Sequence, residues 1–156
     1  MKLQPDKFSC GVYAVMNAAI CLGVRLTPKK VLKYSNTTKK GTSEVGVKNA
    51  LLGNKLSYKE FTYKDSDLPL NKLKAIIELS SAIANGTPAI LCVDKWDHWI
   101  VVVGKIGTNY VIFDSDSTRK NIKENGTYVL TIEELTKRWL FNDGYYGIVV
   151  SKGEIK

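Results

Sequence analysis

A single histidine, three cysteines and four prolines leave this chain of 156 residues short of the groups that build metal centres, disulfide frameworks and stiff linkers. Cys10, Cys21 and Cys92 are odd in number and include no Cys-x-x-Cys pair, which argues against both a disulfide scaffold and a thiolate metal site. One histidine and dispersed cysteines offer no ligand cluster for a metal hydrolase, so no metal and no cofactor is expected. No run approaches the ~20 apolar residues of a membrane span, and the opening MKLQPDKFS has no continuous apolar stretch of signal-peptide type. A GxxxxGK[ST] phosphate loop is absent as well, so no transporter fusion is expected within the chain. These absences lead to the expectation of a cytoplasmic protein in a reducing compartment.

What is present suits one domain over residues 1–156: 44% of the residues are hydrophobic and 10% aromatic, enough for a sizeable core. Basic residues number 23 against 15 acidic, a formal charge of +8, which raises acidic surfaces or nucleic acid as partners. The lysines are spread along the chain without an arginine-rich arm, and a solvated surface accounts for them at least as well. A nucleic-acid partner is therefore not the expectation.

Residues 10–22, CGVYAVMNAAICL, are apolar nearly all round, follow Ser9 as a helix-capping residue and end at Gly23, as a buried helix would. Pro28 opens a short helix, Ser43 and Glu44 begin another that stops at Gly53-Asn54, and a third, over roughly 69–84, follows Asp67. After Asn85-Gly86 the character changes. PAILCV, HWIVVVG, NYVIFDS, TYVL and YYGIVVS are short β-branched and aromatic runs, interrupted by one helix, TIEELTKRWL, with Thr131 as cap and Glu134 three residues on. Helices first and strands second predict an α+β domain, its N-terminal helices packed on a mostly antiparallel C-terminal sheet.

Any chemistry that needs an imidazole must use His98, which opens the strand HWIVVVG. A hairpin centred on Ile106 sets His98 directly opposite Asp114, with Cβ atoms about 4.5–5.5 Å apart, so the carboxylate can accept a hydrogen bond from one ring nitrogen. The other nitrogen can then take a proton from a thiol. Cys10 suits that role because a residue just after the helix cap feels the positive end of the helix dipole. Attack on an amide carbonyl builds negative charge on its oxygen, for which the Gln4 side-chain amide and the Cys10 backbone N–H are candidate donors. Each residue alone has an ordinary explanation: a cysteine in an apolar helix packs in the core, a strand-end histidine is satisfied locally, and an aspartate before Ser115-Asp116 makes a turn. Their joint occurrence is what points to acyl transfer. Cys21 and Cys92 stay with the core.

The segment QPDKFSCGVYAVMN resembles the first motif of the bacteriocin-processing C39 peptidases and their C39-like relatives, a glutamine six residues before the cysteine in a Q-x4-D-C-G pattern, here with Ser9 in place of aspartate. GTSEVGVKNALLGNKL is similar to the family's second block, and HWIVVVG followed by YVIFDS to its histidine and aspartate strands, separated by the family's 16-residue interval from His98 to Asp114. The likeness runs on through TIEELTKRWL and YYGIVVS. It implies a papain-like fold with a Cys-His-Asp set and an oxyanion glutamine, roles that fall on Cys10, His98, Asp114 and Gln4. Ser115 stands where the family usually has proline, which leaves Asp114 and Asp116 both open as the residue orienting His98.

The expected activity is that of a cysteine peptidase acting on a peptide or protein substrate through a thioacyl intermediate on Cys10, with His98 as general base. The resemblance adds cleavage after small residues such as Gly-Gly. Trp96 and Trp99, flanking His98, are candidate walls of a narrow substrate cleft, although alternation turns Trp99 away from the face that His98, Ile100 and Val102 share. Two alternatives use the same parts: an acyltransferase or amidase, in which another acceptor or amide enters the site, and a non-catalytic peptide-binding module.

Overall fold

The computed structural model describes residues 1–64, 69–116, 118, 125–141 and 144–153. Helix α1 (Cys10–Cys21) is buried along nearly its whole length, as an all-round apolar sequence demands. Helix α2 (Pro28–Ser35) starts with Pro28 inside its first turn and the Thr27 hydroxyl accepting from the Lys30 N–H. Helix α3 (Glu44–Gly53) is capped by the Ser43 hydroxyl, which accepts from the Gly46 N–H. Helix α4 (Pro69–Ala84) occupies the predicted span, while Asp67 ahead of it lies outside the described residues. Helix α5 (Ile132–Trp139) carries the expected cap, with Thr131 Oγ1 accepting from the Glu134 N–H.

Between α3 and α4 runs a strand, β1 (Leu56–Lys64), where the sequence reading assigned no element. It is an edge strand. Its sequence LSYKEFTYK carries charge at several positions, which protects an exposed edge from further pairing and hides the apolar alternation by which strands are recognised. The other strands are β2 (Ala89–Val93), β3 (His98–Ile106), β4 (Asn109–Phe113), β5 (Thr127–Leu130) and β6 (Gly144–Lys152). All six form one antiparallel sheet in the order β1-β6-β2-β3-β4-β5.

Helices cover both faces of that sheet. On one, α1, α2 and α3 bury Val15, Val31 and Leu51 against Ile90, Val101 and Ile148. On the other, Ala75, Leu79 and Ile83 of α4 and Leu135 and Trp139 of α5 pack on Leu91, Ile100 and Val102. The fold class is α+β as expected, but only the first three helices share a face; α4 joins α5 because its buried residues meet the opposite side of the central strands. Among the described residues, no helix is long and apolar enough to cross a membrane.

The β3–β4 hairpin differs from the predicted one. Its turn is Gly107-Thr108, with Ile106 facing Asn109 and Gly104 facing Val111; Val103 then bulges, and Val102 faces Ile112 and Val101 faces Phe113. The pairing near His98 is thus displaced by two residues from a hairpin centred on Ile106. Carried one step further, it sets Asp114 opposite Ile100 and diagonal to His98, not directly across from it. An even displacement leaves Asp114 on the face of His98; without the bulge it would fall opposite Val101, on the other face.

Candidate active site

Three elements converge on the end of the sheet where β3 begins. Cys10 is the first residue of α1 and 5% exposed, His98 the first of β3 and 1% exposed, and Asp114 follows the last residue of β4 and is fully buried. His98 Nε2 and Asp114 Oδ1 are 2.6 Å apart, a distance that diagonal partners on one face can reach with side chains of this length. The Cys10 thiol lies near enough to the imidazole to help hold its proton. Burial pulls the His98 imidazole down, but the hydrogen bonds and charges of Asp114 and Cys10 outweigh it and push its pKa up to about 9.

The structure distinguishes the two aspartates left open by the sequence. Asp114 contacts the ring, whereas Asp116 Oδ1 accepts from the N–H and hydroxyl of Thr118, and the Asp116 N–H itself donates to Asp114 Oδ1 at 3.0 Å. The second oxygen of Asp114 is held from behind. Tyr128 donates to Oδ2 at 2.7 Å, Arg138 donates from Nη1 to the Tyr128 hydroxyl at 2.7 Å, and the Arg138 fork grips both oxygens of Asp94 at 2.8 Å. None of Tyr128, Arg138 and Asp94 was singled out from the sequence. Arg138 lies in the last turn of an amphipathic helix, where a basic residue has the ordinary explanation of complementing the helix dipole.

Ser9 is a helix cap by position but not through its side chain. Its backbone, at φ −93° and ψ 15°, is not in the extended region that aims a capping hydroxyl at the first turn, and its buried Oγ has no partner. The entry to α1 is instead secured by Asp6, whose Oδ1 accepts from the N–H groups of Phe8 and Ser9 at 2.9 and 2.8 Å. An aspartate two and three residues ahead of its backbone donors is a readable turn signal that the sequence reading passed over. Gln4 lies on the same N-terminal segment: its N–H donates to the Ser115 carbonyl at 2.8 Å, its Nε2 to the Asp6 carbonyl at 2.6 Å, and its Oε1 accepts from the Ser115 hydroxyl at 2.7 Å. The buried Asn17 anchors that segment further up by exchanging two hydrogen bonds with the Lys2 backbone.

Trp96 and Trp99 both line a cavity of about 520 Å³, together with Thr42, Ser43, Glu44 and Cys92. Trp96 is 45% exposed and packs on the rings of Tyr146 and Phe141. Trp99 is buried on the α1 face, as alternation predicts, and its Nε1 donates to the Thr42 carbonyl at 2.9 Å. Gly11, beside Cys10, makes room for this wall: a Cβ there would lie 2.6 Å from Thr42 Cβ and 3.2 Å from Trp99. Cys92 sits in the wall as a protonated thiol, its pKa raised chiefly by burial. Among the described residues, no cluster of three His, Cys, Asp or Glu could hold a metal ion.

The family model described as the Peptidase C39 family matches residues 1–142. Among solved structures, the chain is similar to the peptidase domain of Streptococcus ComA, a bi-functional ABC transporter involved in quorum sensing, at 18% identity and a TM-score of 0.72 over 97% of this chain and 96% of that one. It is also similar to a double glycine motif protease from an AMS/PCAT transporter in complex with the leader peptide, at 14% identity and a TM-score of 0.67 over 96% and 89% of the two chains. A C39-like peptidase from Bacillus anthracis matches at 12% identity and a TM-score of 0.68 over 99% and 95%. The papain-like fold of these peptidase domains is the fold of this chain. No curated protein matches its sequence.

Proposed function

Because the chain belongs to the Peptidase C39 family, we propose that it is a cysteine peptidase whose nucleophile is Cys10. The observation that carries this reading is the buried imidazole of His98, hydrogen-bonded through Nε2 to the buried Asp114 and with Cys10 near enough to raise its pKa. His98 accepts the thiol proton, and the thiolate attacks the substrate carbonyl to form a C–S bond. Negative charge moves to the carbonyl oxygen, where the free N–H of the Gln4 amide and the Cys10 backbone N–H receive it. The C–N bond breaks as His98 returns its proton to the leaving amine, and water, deprotonated by His98, hydrolyses the thioester. Asp114 keeps the ring in one tautomer and stabilises the imidazolium throughout.

Trp96 and Trp99 form walls of the substrate cleft, and the preferred residues ahead of the cut bond are small, as in a Gly-Gly pair. Support for that preference comes from the cavity they share and from the fold likeness to a protease named for a double glycine motif. The substrate is a peptide or protein, and the free thiols suit a reducing cytoplasm. A purely peptide-binding role leaves unexplained why a cysteine lies beside an imidazole that is hydrogen-bonded to a buried carboxylate, in a site with almost no exposure.

The test needs no substrate. Alkylation of Cys10 by iodoacetamide, followed by mass spectrometry across pH, is expected to be fast at neutral pH in the wild type and to fall steeply in His98→Ala. An inert Cys10, or an alkylation profile indifferent to His98, would refute the reading.

A further inference from the structure

The hydroxyl of Ser115 meets the one polar side chain assigned to the oxyanion. Its Oγ donates to Gln4 Oε1 at 2.7 Å, while its carbonyl accepts from the Gln4 N–H at 2.8 Å, so one residue holds both the backbone and the amide of Gln4. An amide group has two chemically opposite ends, and only the Nε2 end can donate to an oxyanion. A hydroxyl donating to Oε1 selects the orientation. The Asp6 carbonyl takes one of the two Nε2 hydrogens at 2.6 Å, which leaves one for a ligand. Ser115 is 2% exposed, so water does not compete for the bond.

We propose that Ser115 is a positioning residue that holds the Gln4 amide with its remaining N–H toward the substrate oxygen. The proposal rests on the reading of Gln4 as an oxyanion donor. Ser115 directly follows Asp114, so a single dipeptide serves both halves of the reaction: Asp114 holds the imidazole and Ser115 holds the amide. Proline, which the resemblance places here in relatives, has no hydroxyl and could not make this bond; the arrangement belongs to this chain. Gln4 sits on a segment otherwise tied through Lys2 to Asn17 and through its own N–H to Ser115. Without the hydroxyl the backbone of Gln4 stays in place while its amide is held through the Asp6 carbonyl alone, with Oε1 no longer fixed.

Two reagents separate the oxyanion from the nucleophile. Iodoacetamide alkylates the Cys10 thiolate by forming an S–C bond as iodide leaves, with no charge developing on the amide oxygen. p-Nitrophenyl acetate acylates the same sulfur through a tetrahedral oxyanion, which collapses to the thioester as p-nitrophenolate leaves. In Ser115→Ala, acylation of Cys10 is expected to slow about tenfold, a fraction of the ~10²–10³ that losing an oxyanion donor costs, while alkylation keeps its rate. Ser115→Thr retains the hydroxyl and restores acylation. Gln4→Ala slows acylation more, and the double variant Gln4→Ala/Ser115→Ala falls no further. Alkylation serves as the folding control, because it requires an intact Cys10–His98 pair. Wild-type acylation in Ser115→Ala with impaired acylation in Gln4→Ala would overturn the role of Ser115 alone. Wild-type acylation in both would overturn the oxyanion reading on which it rests.

Discussion

A buried imidazole whose pKa is raised rather than lowered is a balance that single residues decide. Desolvation opposes the charged ring of His98, and Asp114 and Cys10 together overcome it, taking the pKa from 6.5 to about 9. A pKa raised on folding contributes stability that is complete below the unfolded value of 6.5 and is lost as pH rises through about 9. Asp114→Asn removes the largest of the raising influences. The melting temperature of that variant should therefore lie furthest below wild type under mildly acidic conditions, with the gap closing as pH climbs past that window. A gap that stays constant with pH would assign Asp114 a purely packing role. Cys92 offers the opposite case. Burial keeps it a thiol, and the native protein should leave it unalkylated at neutral pH while Cys10 reacts, with Cys92 labelled only after unfolding. Cys10 and His98 were legible as candidates because each bears a rare, chemically distinctive side chain, whereas Asp114 and Gln4 became candidates only through their placement relative to those two. Asp6, Tyr128 and Arg138 were not legible, since aspartate, tyrosine and arginine occur everywhere and only their partners single them out.

At the scale of elements, the tight turn between β2 and β3 is the most strained segment described. Asp94, Lys95 and Trp96 follow one another at φ 55°, 60° and 63°, a left-handed conformation that costs an L residue roughly 1–2 kcal/mol each. Arg138 offsets that cost. Its fork binds the Asp94 carboxylate at 2.8 Å with two nitrogens, and its carbonyl accepts from the Asp94 N–H at 2.8 Å. Since the turn ends at Trp96 and leads into His98, the same arginine supports a wall of the cavity on one side and, through Tyr128, the carboxylate behind the imidazole on the other. Lys95→Gly should raise stability by about 1 kcal/mol by relieving strain at a position with positive φ. Arg138→Met should lower it by ~1.5–3 kcal/mol, the range for a lost hydrogen bond to a charged group. Urea titrations of the two variants would check both signs. The sequence placed ten of these elements by their caps and periodicity, yet missed β1, whose charged edge sequence carries no clean alternation.

For the molecule as a whole, the contact between α1 and the sheet determines whether the site assembles. Gly11 lets the helix approach Thr42 and Trp99, and Trp99 is tied in turn to the Thr42 carbonyl. Gly11→Ala places a methyl group where 2.6 Å is available, so the helix or the segment before α3 must move. Overpacking of this kind typically costs 1–3 kcal/mol. The expected result is a lower melting temperature together with slower Cys10 alkylation, because the displaced element carries the nucleophile. A variant that melts early but alkylates at the wild-type rate would show that the site tolerates movement of α1.

The sequence by itself determined the chemistry at hand and the local elements: one imidazole, one cysteine at a helix start, a glutamine six residues before it, and the runs that become helices and strands. These follow from side-chain identity and short-range periodicity. The hairpin register was beyond it. His98 and Asp114 meet as diagonal neighbours because Val103 bulges and returns Asp114 to the face of His98, and a bulge depends on how β3 accommodates β2 on one edge and β4 on the other. The assignment of helices to the two faces, the Arg138 brace and the Ser115 hydroxyl on Gln4 likewise arose only in three dimensions. Each is a contact between residues far apart in the chain, and closing such contacts takes the energy of the whole core rather than the preference of any one segment.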